Sequence, residues 1–113
     1  EAMQYRSAVS DLLAGLKSAR NAAVRSGASV PFVVDVESRR VDVGGQKSLI
    51  LPESLKLGLI VAEQEVESQQ GAIRFYPDGS STGGTVMVRR PAGDGVRLRV
   101  DWLLGRVDQE TLD

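Results

Sequence analysis

The sequence contains no cysteine and no histidine. Those absences together remove thiol nucleophiles, disulfides, imidazole acid–base pairs and nearly all zinc sites. Compartment stays undecided, because a cysteine-free chain suits either redox environment. Aromatics make up only 4% of the 113 residues, so successive base-stacking platforms are scarce. Neither sign of charge predominates: Lys+Arg is 14 against Asp+Glu 15, net −1, which gives no global pull toward nucleic acid or anionic lipid. No apolar run approaches the roughly 20 residues of a membrane span.

What is present is ordinary for a globular chain, with 42% hydrophobic and 26% charged residues. The length suits one domain, 1–113, with one modest core. Ala2, Tyr5, Val9, Leu12, Leu16, Ala19 and Ala23 recur at alternating spacings of three and four. That is a single apolar stripe on a helix of about seven turns, residues 1–27, stopped by Ser26-Gly27. Arg20 and Arg25 near that end suit the helix dipole. The stripe thins from Leu to Ala, which predicts close approach of another element. The opening EAMQYRSAVSDLL is already helical in pattern and has no N-cap residue ahead of it. The expectation is a helix that has been cut.

Residues 28–113 read as β. VPFVVDV puts Phe32, Val34 and Val36 on one face, turns through Glu37–Arg39, and returns as 40–43 in a hairpin. Further strands are expected at 48–51, 55–61, 72–76, 85–89, 96–101 and 102–107. The stretch 63–70, EQEVESQQ, reads as an exposed loop or short turn, acidic DQETLD closes the chain, and Trp102 reads as a core anchor opening the run Trp-Leu-Leu. One long helix followed by antiparallel strands is an α+β arrangement, with the helix stripe buried on the sheet.

The chemical readings fall away in turn. The decapeptide Phe75-Tyr76-Pro77-Asp78-Gly79-Ser80-Ser81-Thr82-Gly83-Gly84 resembles a phosphate cradle in composition. It leads into a strand, however, and no Lys follows its glycines. Glu63, Glu65 and Glu67 have little apolar surrounding that could desolvate one of them for acid catalysis. Asp78 stands alone where a calcium loop would collect several acids. Arg89, Arg90, Arg97 and Arg99 make a local basic patch interrupted by Asp94 and Asp101, without interleaved aromatics. No enzyme, metal or cofactor reading emerges. A binding or structural module remains.

The residues do resemble a known family, the H-type minor pseudopilins of type II secretion (general secretion pathway protein H, GspH/FimT-like). The likeness rests on Leu16, Ala19, Arg20 and Ala23 in the helix, the hairpin VPFVVDV, the decapeptide, and Gly105-Arg106-Val107 near the end. It implies a pilin-like fold and a structural subunit at or near the tip of the periplasmic pseudopilus. Its partners would be the other minor pseudopilins, the major pseudopilin, and the inner membrane of a Gram-negative bacterium through an apolar N-terminal helix half. Glu1 is not the glutamate that the family uses in assembly. Ala2, Tyr5 and Arg6 are expected to make filament contacts, followed by the loops 63–70 and 78–84, with Glu65, Asp78 and Ser80. In the decapeptide, Gly79, Gly83 and Gly84 would permit tight turns while the hydroxyls satisfy the loop's own amides. DNA-binding type IV minor pilins of the same family carry a Gly-Arg-x-Arg pattern. Here Gly105-Arg106-Val107-Asp108 has Asp at the second basic place, and no nucleic acid partner is expected.

Overall fold

A computed structural model of the chain describes residues 2–44, 47–62, 65–67 and 70–113. Expectations for Glu1, Glu63, Gln64, Ser68 and Gln69 lie outside the described residues. The apolar stripe forms the helix α1, Ala2–Ser26, and Gly27 ends it in the left-handed region at φ 72°. Its amide donates to the Ala23 carbonyl at 3.1 Å, satisfying one of the carbonyls a helix end leaves open. Leu12, Leu16, Ala19 and Ala23 are fully buried, so the stripe is the core face. Helix and hairpin approach most closely at Gly15, where a Cβ would stand 3.1 Å from the Phe32 ring and 3.2 Å from Val43. Small residues there let the backbone come in where leucine would hold it off.

Among the described residues nine strands follow: β1 Val30–Asp35, β2 Arg40–Val43, β3 Lys47–Ile50, β4 Lys56–Val61, β5 Val66–Glu67, β6 Gln70–Phe75, β7 Gly84–Arg89, β8 Gly95–Val100 and β9 Val107–Leu112. They form two antiparallel sheets, β3-β2-β1-β6-β5 and β4-β7-β8-β9. Alternation decides which face is buried: Phe32 and Val34 in β1, Val86 and Val88 in β7, Val96, Leu98 and Val100 in β8 all point inward. They meet the helix stripe in one continuous core. The sheets come together at Gly71 of β6, where an added Cβ would strike Leu59 of β4.

Three expectations are corrected. Residues 102–106 are not a strand, and of the expected stretch only Val107 enters one, as the first residue of β9. Asp101–Arg106 is a turn in which the Gly105 amide donates to the Asp101 carbonyl and the Leu104 amide to the Asp101 carboxylate. Trp102 is not in the core: it is 66% exposed, with Leu103 and Leu104 exposed beside it. The acidic DQETLD is largely the strand β9, because Arg97 and Arg99 of β8 stand opposite Glu110 and Asp108. Opposite charges across a ladder favour pairing, whereas a free acidic tail would gain nothing there. Within the 63–70 stretch, Val66–Glu67 is a short strand that pairs with Gln70–Gly71.

Candidate assembly surfaces

The helix positions the first set of residues. Ala2 and Arg6 are exposed, while Tyr5 is half-buried against the core. The Arg90 guanidinium lies 5.3 Å from the centre of the Tyr5 ring, a cation–π distance that fixes the ring's orientation. Tyr5 and Arg6 line a shallow apolar groove with Val9, Leu13, Val96 and Gln109, between α1 and the β8–β9 edge. These side chains thus share one surface.

The other sequence-derived candidates do not join it. The Glu65 carboxylate receives the Arg74 guanidinium at 3.2 Å, and its side chain is 13% exposed. Asp78 and Ser80 are turned on each other. The Asp78 carboxylate accepts from the Ser80 amide at 2.9 Å and from its hydroxyl at 2.5 Å. The hydroxyl, then the amide, lowers the Asp78 pKa below the ordinary carboxylate value. The basic patch is spoken for as well. Arg97 and Arg99 both reach Glu110, at 3.6 and 2.6 Å, and Arg89 donates to the Gly93 carbonyl at 2.7 Å.

The decapeptide is an architectural hub. Gly79, Gly83 and Gly84 have φ of 90°, 74° and 150°, conformations that L side chains rarely adopt. The buried Ser81 hydroxyl accepts from the Gly83 amide at 2.9 Å and donates to the Asp101 carbonyl at 3.0 Å. The Thr82 hydroxyl serves β6 instead, accepting from the Arg74 amide at 3.0 Å. No group of three or more metal-ligating side chains occurs among the described residues.

Sequence reasoning missed the residue that ties this hub to the helix. Arg20 was read as a dipole partner. Its Nε instead donates to the carbonyls of Leu104, at 3.0 Å, and Gly79, at 3.3 Å. Gly105, φ 66°, packs so closely that a Cβ would collide with the Gly79 carbonyl oxygen and lie 3.1 Å from Arg20 Nε. The available signal was an Arg beside the buried Ala19 and Ala23 on the helix.

A long amphipathic helix laid on two antiparallel sheets defines the pilin class. The fold matches the minor pseudopilin EpsH from the type 2 secretion system of Vibrio cholerae with a TM-score of 0.74. Sequence identity is 15%, over 95% of this chain and 96% of that one. The type IV minor pilin FimU of Pseudomonas aeruginosa matches with a TM-score of 0.73 at 17% identity, over 96% of this chain and 90% of that one.

Sequence then narrows the class. Residues 8–104 match the family model described as type II transport protein GspH, and the chain belongs to that family. It is 34% identical over 110 residues to the type II secretion system protein H of Xanthomonas campestris pv. campestris, covering 95% of this chain. The chain spans 63% of that relative's length.

Proposed function

We propose that the chain is the globular part of an H-type minor pseudopilin, a structural rather than catalytic subunit at or near the tip of the periplasmic pseudopilus. There it assists export of folded proteins across the outer membrane. The family match over 8–104 carries this reading. The fold is consistent with it, because the helix leaves Ala2 and Arg6 exposed beyond its buried stripe. In this reading an apolar helix half anchors the protein in the inner membrane, and the direct partners are the other minor pseudopilins and the major one. Ala2, Tyr5 and Arg6 contribute filament contacts along the helix.

The likeness to FimU, a type IV minor pilin, leaves room for the second reading that the family resemblance offers, a type IV minor pilin that binds DNA for uptake. Charge pairing speaks against it. Arg97 and Arg99 on β8 share Glu110, and Asp108 stands where the DNA-binding pattern has its second basic residue. Calorimetric titration of the domain against sibling minor pseudopilin domains, with duplex DNA at low salt in parallel, separates the two. Micromolar or tighter binding to a sibling without a DNA signal is expected. Salt-sensitive DNA binding with no sibling binding would overturn the proposal.

A further inference from the structure

The only Trp of the chain and two consecutive leucines sit in solvent, Trp102 at 66%, Leu103 at 58% and Leu104 at 45% exposure. Three adjacent large apolar side chains in one exposed turn cost solubility unless something covers them. Their exposure is not looseness, because the backbone that carries them is held from four directions. The Trp102 carbonyl accepts from the Ser81 amide at 2.8 Å, and the Leu104 carbonyl from Arg20 Nε at 3.0 Å. The Leu104 amide donates to the Asp101 carboxylate at 2.6 Å, and the Gly105 amide to the Asp101 carbonyl at 2.9 Å. The turn cannot fold these side chains back onto the core. They are presented ready-made, the arrangement that lowers the ordering cost of an interface anchor.

We propose that Trp102, Leu103 and Leu104 form a rigid knob that inserts into an apolar pocket with an acidic rim on a neighbouring pseudopilin. This rests on the filament reading above. The rim follows from charge. Beside the knob runs a groove lined by Lys17, Arg20, Asn21, Arg106 and Asp108, three cations to one carboxylate. A second copy of this chain docking the same patch on itself would set cation against cation. A lipid surface fits less well. Arg20 stands fifteen residues beyond Tyr5, about 22 Å farther along the helix at 1.5 Å per residue, and in the filament reading the membrane lies past the Tyr5 end. The two surfaces are far enough apart for different neighbours, one at the groove by Tyr5 and one at the knob.

Because Trp102 is the sole Trp, its emission reports burial of the knob directly. The 113-residue chain is titrated with the domains of each sibling minor pseudopilin and of the major one. Phosphatidylglycerol vesicles and dilution of the chain alone serve as parallel arms. The expected result is a blue shift with one pseudopilin domain. Leu103→Ser/Leu104→Ser should weaken that binding roughly 30-fold or more, and Lys17→Glu/Arg106→Glu should weaken it too. Unchanged melting of the variants, and full binding by Ile50→Ser, a remote exposed apolar residue, complete the pattern. Binding without a Trp102 shift, unaffected by the serine pair, overturns the knob and leaves the filament role standing. No binding to any pseudopilin domain overturns both. A shift with vesicles only, or on concentration of the chain alone, overturns the knob in favour of a lipid surface or a self-contact.

Discussion

Replacing Arg20 by Ala distinguishes two accounts of the same side chain. As a cation near a helix C-terminus it is worth about 0.3–1 kcal/mol, like Arg25. As a clasp it supplies a charged donor to the carbonyls of Leu104 and Gly79, at 3.0 and 3.3 Å, from one Nε. A hydrogen bond to a charged group contributes roughly 1.5–3 kcal/mol, and one hydrogen shared between two acceptors does not count twice. The Gly79 carbonyl side is half-buried, so its acceptor is left poorly solvated when the donor goes. The expected loss is therefore about 2 kcal/mol for Arg20→Ala, against a few tenths for the exposed Arg25→Ala. For a chain of this size that corresponds to roughly 8 °C in Tm for Arg20→Ala. Differential scanning calorimetry of both variants provides the assay, with urea unfolding to check that m is unchanged. Arg20→Lys should recover only part of the loss, because an ammonium lacks the fixed planar donor. Equal losses for Arg20→Ala and Arg25→Ala would refute the clasp.

Other substitutions probe neighbouring features. Gly105→Ala should cost well over 2 kcal/mol in urea unfolding, since it adds left-handed strain to a collision with the Gly79 carbonyl; Gly27→Ala, at a similar φ with nothing within 4 Å, should cost only about 1 kcal/mol. Similar costs at both sites would mean that the close packing of Gly105 is unimportant. Leu16→Ala, at a fully buried position, is expected to lose about 2–5 kcal/mol, and a loss below 1 would contradict the burial of the stripe. Asp35, Asp42 and Asp78 have pKa values lowered from 3.8, chiefly by the Ser38 amide, the Ser48 hydroxyl and the Ser80 hydroxyl respectively. The unfolded chain therefore binds protons first, so these groups stabilise the fold above about pH 3.8. That contribution is lost as pH falls through the folded values; Ser48→Ala and Ser80→Ala should flatten the acid limb of a stability–pH curve, and an unchanged limb would count against these bonds.

The helix and the first hairpin were legible because their apolar residues repeat at the spacing of the structure that buries them. The Phe32/Val34 and Leu12/Leu16 faces needed nothing beyond that spacing. The end of the chain was misread where composition and geometry disagree. Trp-Leu-Leu looks like core, but Asp101 and Gly105 close a turn around it, and turn closure determines where those side chains point. DQETLD looks like a tail until the arginines of β8 are placed opposite. Charge pairing across a ladder has no local signature, because register links Arg97 to Glu110 across thirteen positions. For the candidate assembly surface, the helix and the family resemblance together point to Ala2, Tyr5 and Arg6. The pairing of Glu65 with Arg74 has no local signature, because nine positions separate the two.

The Arg20 clasp also says something about how such a chain becomes itself. Its acceptors lie 59 and 84 positions downstream. During synthesis the helix leaves the ribosome before the strands that cover Leu12, Leu16 and Ala19. A nascent chain stopped before Leu104 has nothing to complete the clasp. The helix is thus made before the strands yet clasped only after them, and closing such distant contacts is slow. Until the strands that cover it arrive, its bare stripe is a segment in need of a chaperone's shelter.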